Sequence, residues 1–237
     1  MNAKNYSNKN AFTLIELAIV LTIIGLIAAG VVGGRSLFEA ARVRKTLQQV
    51  SSYKVAYLAF KSQYDAVPGD FSDAFTYWGT ACADVVGNCS GDGDGRIEPH
   101  TRESTPSFMH LSLAKLIPNT FTPLTNIWSM DNTNSPVGEW PYSIFTFMSV
   151  DTIGGGWSER ANTGLWFGKY DTGWPYGVFL LTVEARNIDL KADDGLPQSG
   201  SILANADWGW DGHNCFSTNA YDVSYTSPAC LMFFGDF

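Results

Sequence analysis

The sequence predicts an α+β fold in which one long N-terminal α-helix packs on an antiparallel β-sheet head. Two observations predict it: residues 12–67 contain no proline and keep a helical spacing of apolar residues, and the remainder alternates short apolar-aromatic runs with turns. The composition agrees, because only 16% of the 237 residues are charged, against about 25% in an average domain. The hydrophobic fraction of 45% excludes wholesale disorder.

The first element is an apolar segment, residues 12–34, whose one charged residue is Glu16. As a helix it would extend roughly 35 Å, enough to cross a hydrocarbon core of about 30 Å. The apolar run is longer than that of a secretory signal peptide, so we expect an anchor that is not cleaved after this run. Glu16 either lies among the lipid headgroups or pairs with a charge from another copy.

The second element is an amphipathic stem helix, residues 35–66. Its apolar residues recur at steps of three or four: Val43, Leu47, Val50, Tyr53, Tyr57, Phe60 and Tyr64. Pro68 ends the run, so both segments together predict one helix of about 50 residues. Gly30 and Gly34 either loosen this helix or allow another helix to pack closely.

Residues 9–30, KNAFTLIELAIVLTIIGLIAAG, resemble the N-terminal signature of type IV pilins and the related pseudopilins. The resemblance implies that a prepilin peptidase cuts between Ala11 and Phe12 and methylates the amine of Phe12. It also implies that Glu16 neutralises the Phe12 amine of a neighbouring subunit during assembly. Ala11 departs from the family, which usually has Gly before the cut, and we expect slower cutting as a result.

The resemblance divides the chain into a leader (1–11), a transmembrane and assembly helix (12–34), the stem (35–66) and a globular head (67–237). It implies a structural subunit of a type IV pilus-like filament, a helical homo-oligomer built by inner-membrane assembly machinery. The subunit would lie in the inner membrane first and in an extracellular pilus afterwards. The alternatives are a periplasmic pseudopilin of type II secretion and a minor or tip pilin that acts as an adhesin.

Charge is distributed unevenly along the chain. Residues 35–61 contain six basic residues and one acidic residue, whereas residues 63–237 contain 7 basic and 21 acidic residues. A basic stem therefore precedes an acidic head, and neighbouring copies are expected to attract each other, stem to head. The net charge of −8 argues against nucleic acid as a partner.

Four cysteines, Cys82, Cys89, Cys215 and Cys230, follow the membrane segment. Three pairings are possible, and proximity in the sequence favours Cys82–Cys89 and Cys215–Cys230 in an oxidising compartment. Zinc is the alternative, but the cysteines form no CxxC motif and the three histidines are scattered.

An Asp-Gly loop follows Cys89 and resembles the first half of an EF-hand. The expected Ca²⁺ ligands are Ser90, Asp92, Asp94, the Arg96 carbonyl and Glu98 or Glu103. The loop departs from an EF-hand because Ser90 takes the place of the first acid and Thr101 the place of the twelfth-position Glu. The alternative is a turn closed by a Cys82–Cys89 disulfide.

The remaining head predicts a sheet, with strands at Tyr142–Val150, Gly164–Tyr170, Tyr176–Glu184 and Cys230–Phe234. A helix is predicted over Ser107–Ile117 with Thr105 as its N-cap, and a second short helix is expected to end at Gly195. Three acids beside that glycine either form turns and caps or bind a cation: Asp189, Asp193 and Asp194.

An enzyme is not expected, because no paired carboxylates, Ser-His-Asp spacing or phosphate loop is visible. An adhesin would use exposed tryptophans to bind glycans or a surface. Its candidates are Trp128, Trp140, Trp157, Trp174, Trp208 and Trp210.

Overall fold

The computed structural model describes residues 12–82, 89–98, 103–122, 130–150, 162–171, 174–206, 215–235 and 237. The chain divides into two compact units, Met1–Arg42 and Val43–Phe237. Helix α1, Leu14–Tyr64, contributes residues to both.

In the first unit, α1 is apolar and exposed on all sides. Among the described residues it is the helix long and apolar enough to cross a membrane, and none of its most apolar stretch is buried. The helix continues through Gly30 and Gly34, and no side chain that the structure describes lies within 4 Å of the position that a Cβ would take there. The glycines therefore do not interrupt α1.

In the second unit, one face of α1 is buried in the core of the head. The predicted residues Val43, Tyr57 and Phe60 are buried on this face, and Thr46 and Ala56 join them. These positions recur at helical spacing, so the amphipathic pattern in the sequence selects the buried face.

The head contains a five-stranded antiparallel sheet. Its strands are β1 (Ser143–Val150), β2 (Asn162–Asp171), β3 (Trp174–Gly177), β4 (Ile202–Asn205) and β7 (Leu231–Phe234). The order is β1-β2-β7-β4, with β3 also paired to β2. A separate two-stranded ribbon is formed by β5 (Phe216–Ser217) and β6 (Ala220–Tyr221).

Aromatic contacts join the stem to the sheet. The ring of Tyr57 stacks on Phe147 with centroids 5.3 Å apart, and the ring of Tyr53 lies edge-on to Phe145 at 5.6 Å. Such pairs add about 0.5–1.5 kcal/mol each beyond the area that they bury. The predicted α+β architecture, a long N-terminal helix packed on an antiparallel sheet, is confirmed.

Among the described residues of the head there are three further α-helices: α2 (Ala74–Trp78), α3 (Ser107–Leu113) and α4 (Thr182–Ala192). Helix α3 is shorter than the predicted Ser107–Ile117. It ends because Lys115 has a left-handed backbone (φ 58°), which allows the amide of Leu116 to donate to the Leu111 carbonyl. The residue preceding α3 is Pro106, so the prediction of Thr105 as N-cap is wrong.

The predicted strand Tyr176–Glu184 is also wrong. Strand β3 ends at Gly177, and α4 begins at Thr182. Glu184 starts this helix, because its Oε2 accepts a hydrogen bond of 2.9 Å from the amide of Leu181.

Candidate functional site

The first turn of α1 contains the residues that the sequence marks for assembly. Thr13 donates through both its amide and its Oγ1 to Oε2 of Glu16, at 2.8 Å each. The amide of Glu16 in turn donates to Oγ1 of Thr13 at 3.3 Å. These bonds form a capping box, in which side chains satisfy amides that have no partner inside the helix.

The capping box gives Glu16 a role that was not predicted above, although the Thr-x-x-Glu spacing is the local pattern that indicates it. Both bonds from Thr13 end on Oε2, and no contact to Oε1 is present among the described residues. Phe12 is 78% exposed beside it. The carboxylate is therefore held in one orientation while its second oxygen can accept a bond from another molecule. Ala11, the other processing residue, lies outside the described residues.

The Asp-Gly loop in the head is organised by a residue that the sequence analysis did not select. The carboxylate of Asp70 accepts the amide of Gly93 at 2.6 Å through Oδ1 and the amide of Gly95 at 2.7 Å through Oδ2. Gly93 and Gly95 have φ values of 83° and 89°, which favour glycine. Burial raises the pKa of Asp70, whereas the two amides lower it.

The structure brings three carboxylates together at this loop. Oxygens of Asp70, Asp92 and Asp94 lie within 4.8 Å of one another. Asp92 and Asp94 also close local turns, since each accepts the amide two residues further on, at 3.0 and 2.9 Å. Calcium binding at this loop stays a prediction, with Asp70 added to its candidate ligands.

The other predicted calcium ligands make different contacts. Oγ of Ser90 accepts the amide of Phe75 at 3.2 Å, and the carboxylate of Glu98 lies 3.8 Å from the guanidinium of Arg96. Glu103 bridges the loop, because its two carboxylate oxygens accept the amides of Asp92 and Glu98 at 3.1 and 3.2 Å. Burial raises the pKa of Glu103 to about 8.

His110 ties three parts of the head together. Its Nδ1 accepts the amide of Gly69 at 2.9 Å, which leaves Nε2 to donate to the Cys89 carbonyl at 2.8 Å. The side chain is fully buried, and this burial lowers its pKa to about 4. His110 is therefore a neutral structural residue that connects α3 to the turn after α1 and to the disulfide.

The head contains two disulfides, Cys82–Cys89 and Cys215–Cys230, which are the pairs that sequence proximity favoured. His110 lies close to the first disulfide. The two sulfurs are bonded to each other, so neither is a thiolate that could bind zinc.

Oxygens of Asp189, in the last turn of α4, and of Asp193 and Asp194, which follow this helix, lie within 4.8 Å of one another. All three side chains accept hydrogen bonds from this chain, and cation binding here stays a prediction. Asp189 accepts the Tyr221 hydroxyl at 2.7 Å and the Gly195 amide at 3.0 Å. Asp193 accepts the Ile202 amide at 2.8 Å, and Asp194 accepts the Leu196 amide at 2.8 Å. These bonds attach α4 to β4 and β6.

One adhesin candidate is buried. Trp140 donates through Nε1 to Oε1 of Glu184 at 3.0 Å and is 7% exposed, so it offers no surface for a ligand. Of the others, Trp128, Trp157, Trp208 and Trp210 lie outside the described residues, as does the side chain of Trp174.

The chain has an exposed apolar helix with a capped acidic first turn, followed by a disulfide-bonded α+β head, which is a pilin-like architecture. The exposed apolar helix fits anchoring in a membrane. Residues 6–32 match the family described as the prokaryotic N-terminal methylation motif. The chain thus carries the prepilin signature of type IV pilins and pseudopilins, which implies processing by prepilin peptidase and a structural role. No curated protein and no solved structure matches the chain.

Proposed function

We propose that the protein is a structural subunit of a type IV pilus-like filament, assembled through its N-terminal helix after cleavage between Ala11 and Phe12. The observation that carries this proposal is the methylation motif at residues 6–32, which overlaps the start of α1, where the described apolar side chains are exposed on all sides. Contact with lipid or with other helices removes such side chains from water, at roughly 25 cal/mol per Å² of apolar surface.

Glu16 supplies the selectivity of assembly. An ionised carboxylate that leaves water without a partner costs several kcal/mol, and an amine from another subunit offsets this cost. Cleavage before Phe12 leaves a free α-amine on Phe12 of every copy. The amine of one copy can therefore pair with Glu16 of its neighbour. The orientation of Glu16 by Thr13 supports this pairing, because the carboxylate is already ordered before the partner arrives.

The head is suited to an oxidising compartment. Two disulfides cross-link it, and such bonds persist outside the cytoplasm. We therefore place the subunit in the inner membrane before assembly, with its head outside the cytoplasm, and in an extracellular pilus afterwards.

The test is recovery of filaments sheared from intact cells, with and without prepilin peptidase. We expect the subunit in extracellular filaments of the wild type and its loss from that fraction in the peptidase-deficient strain. Filaments confined to the periplasm would identify a pseudopilin instead. Recovery of this subunit from filaments in a much smaller amount than another subunit would identify a minor pilin. Its location at one end of the filament would identify a tip pilin. A subunit that stays in the membrane in both strains contradicts all three roles.

A further inference from the structure

Three Asp-Gly pairs lie in the part of the chain that the structure describes: Asp92-Gly93, Asp94-Gly95 and Asp194-Gly195. In each pair the backbone amide of the glycine donates to a different aspartate, which lies 6 to 25 residues away. The carboxylate of Asp70 accepts the amides of Gly93 and Gly95 at 2.6 and 2.7 Å. The carboxylate of Asp189 accepts the amide of Gly195 at 3.0 Å. Both accepting side chains are buried, with at most 2% of Asp70 exposed.

The aspartate of each pair has a hydrogen bond of its own. Oδ1 of Asp92, Asp94 and Asp194 accepts the backbone amide two residues further on, at 3.0, 2.9 and 2.8 Å. Each side chain is therefore held toward that second amide and not toward the glycine amide in between. The same arrangement recurs at all three pairs, because the aspartate and the glycine nitrogen that follows it are bound to separate partners.

Asp-Gly pairs are prone to a spontaneous rearrangement, because glycine has no side chain that hinders it. The glycine nitrogen loses its proton and attacks Cγ of the preceding aspartic acid. A C–N bond forms, the Cγ–OH bond breaks and water leaves, which gives a five-membered succinimide. Water then opens the ring, and opening at the backbone carbonyl gives isoaspartate. The product has the mass of aspartate but one additional CH₂ group in its backbone.

The observed hydrogen bonds oppose the first step of this reaction. Negative charge develops on the glycine nitrogen as its proton leaves, and an ionised carboxylate beside the nitrogen disfavours that charge. Rotation of the nitrogen toward Cγ also breaks the hydrogen bonds of both reacting groups. We propose that Asp70 and Asp189 protect the three Asp-Gly pairs from conversion to isoaspartate. This role does not depend on the proposed function, since it concerns the chemical durability of the head in any location.

The first test compares folded and unfolded wild type. The full chain is purified in detergent and aged at mildly acidic pH with chelator, one sample folded and one unfolded in urea with its disulfides intact. Digestion and chromatography then separate peptides with isoaspartate from those with aspartate. We expect isoaspartate to form at least about tenfold faster in the unfolded sample at all three pairs, because hydrogen bonds to a charged group are the stronger ones. Equal rates in the two samples would overturn the proposal.

The second test assigns the protection to the two carboxylates. Asp70→Ala should accelerate the reaction at the two pairs of the Asp-Gly loop and leave Asp194 slow, whereas Asp189→Ala should do the reverse. Asp189→Asn is the matched control, because its carbonyl can accept the Gly195 amide while its NH₂ group donates to the Tyr221 hydroxyl. It should therefore keep the slow rate.

The pattern of sites separates local protection from general loss of structure. Near-ultraviolet circular dichroism verifies that each variant is folded, and an unfolded Asp70→Ala is replaced by Asp70→Asn. This milder variant keeps one acceptor oxygen, so it should accelerate one pair of the loop and leave the other slow. Acceleration confined to the pairs whose glycine amide has lost its acceptor supports the proposal. Equal acceleration at all three pairs in a folded variant, or none, contradicts it.

Discussion

At the residue scale, Glu16 has two separable roles. It caps α1 through Thr13, and in the proposed filament it neutralises the amine of a neighbour. Glutamine can still accept the capping bonds but lacks the charge, so Glu16→Gln removes only the second role. Alanine removes both.

We predict that Glu16→Gln and Glu16→Ala both insert into the membrane, since removal of a charge makes the segment more apolar. Both should assemble poorly, measured as sheared filament yield relative to subunit in the membrane. Wild-type yield from Glu16→Gln would show that the cap, and not the charge, is what assembly requires.

His110 makes a pH-dependent contribution to stability. Its pKa is about 4 in the folded head and about 6.5 in an unfolded chain, so the unfolded state binds more protons between these values. Its contribution therefore falls as the pH drops from 6.5 to 4, by roughly 3 kcal/mol in total. Glu103 acts in the opposite direction, because its raised pKa favours the folded state as the pH drops from about 8.

A comparison with His110→Gln isolates this contribution, since glutamine keeps one donor and one acceptor but does not titrate. Above pH 6.5 we expect a constant difference between wild type and variant in the free energy of unfolding. Between pH 6.5 and pH 4 the wild type should lose stability relative to the variant. Urea unfolding of a chain that begins at Arg35 measures it. Parallel stability curves over that window would mean that His110 does not titrate on unfolding.

We predict that calcium stabilises the folded head by binding at the Asp-Gly loop. A site that binds only the folded head adds about 2.7 kcal/mol when calcium exceeds Kd a hundredfold. Calcium should raise the Tm of the wild type, and Asp92→Ala with Asp94→Ala should abolish this shift. In chelator the double variant should lose only the two exposed turn bonds to the amides of Asp94 and Arg96.

Asp70→Asn serves as the contrasting variant. It should lower the Tm even in chelator, because asparagine replaces one carboxylate oxygen of Asp70 by an NH₂ group. That group cannot accept a hydrogen bond, so the backbone amide of Gly93 or of Gly95 loses its partner. The disulfide must stay oxidised in all samples. Identical calcium responses in the wild type and the Asp92/Asp94 double variant would identify the loop as a turn without a metal.

Some residue roles could be predicted from the sequence and others could not. The Thr13-x-x-Glu16 spacing is local, so the capping box was available to sequence reasoning. Asp70 lies 23 and 25 residues from the amides that it binds, and no local pattern encodes that contact.

At the element scale, the last strand holds the sheet together. β7 lies between β2 and β4, and Cys230 just before it forms a disulfide with Cys215. Because β2 and β4 pair through β7 and not with each other, we predict that a chain ending at Cys230 has no stable head even though it keeps all four cysteines.

The matched control ends at Gly235 and loses Phe237, which packs against Tyr57 with ring centroids 5.7 Å apart. It should fold with reduced stability. Protease resistance of the head in isolated membranes distinguishes the two chains, and equal resistance would contradict the central role of β7.

Helices and strands could be predicted where the spacing of apolar residues stays regular over many residues, or where turn residues bound a short apolar run. α1, β1, β2 and β7 satisfy one of these conditions. The run Tyr176–Val183 was misread because a short apolar stretch fits both a strand and the start of a helix. β5 and β6 have only two residues each, too few for a period to appear.

At the scale of the whole molecule, the sequence predicted the class of protein better than its particular role. The signature occupies residues 6–32 and is local, so it is readable without a structure. The location of the filament and the position of the subunit within it depend on surfaces of other molecules, and this chain does not encode them locally.

The central claim is that the chain is a processed pilin-type subunit, and the mass of its mature N-terminal peptide tests this most directly. Protein purified from native membranes or sheared filaments would be digested, and its N-terminal peptide would be identified by mass spectrometry. The account predicts a chain that begins at Phe12 with a methylated amine. A chain that begins at Met1 in every fraction would contradict the processing, the pairing of Glu16 and the family role together.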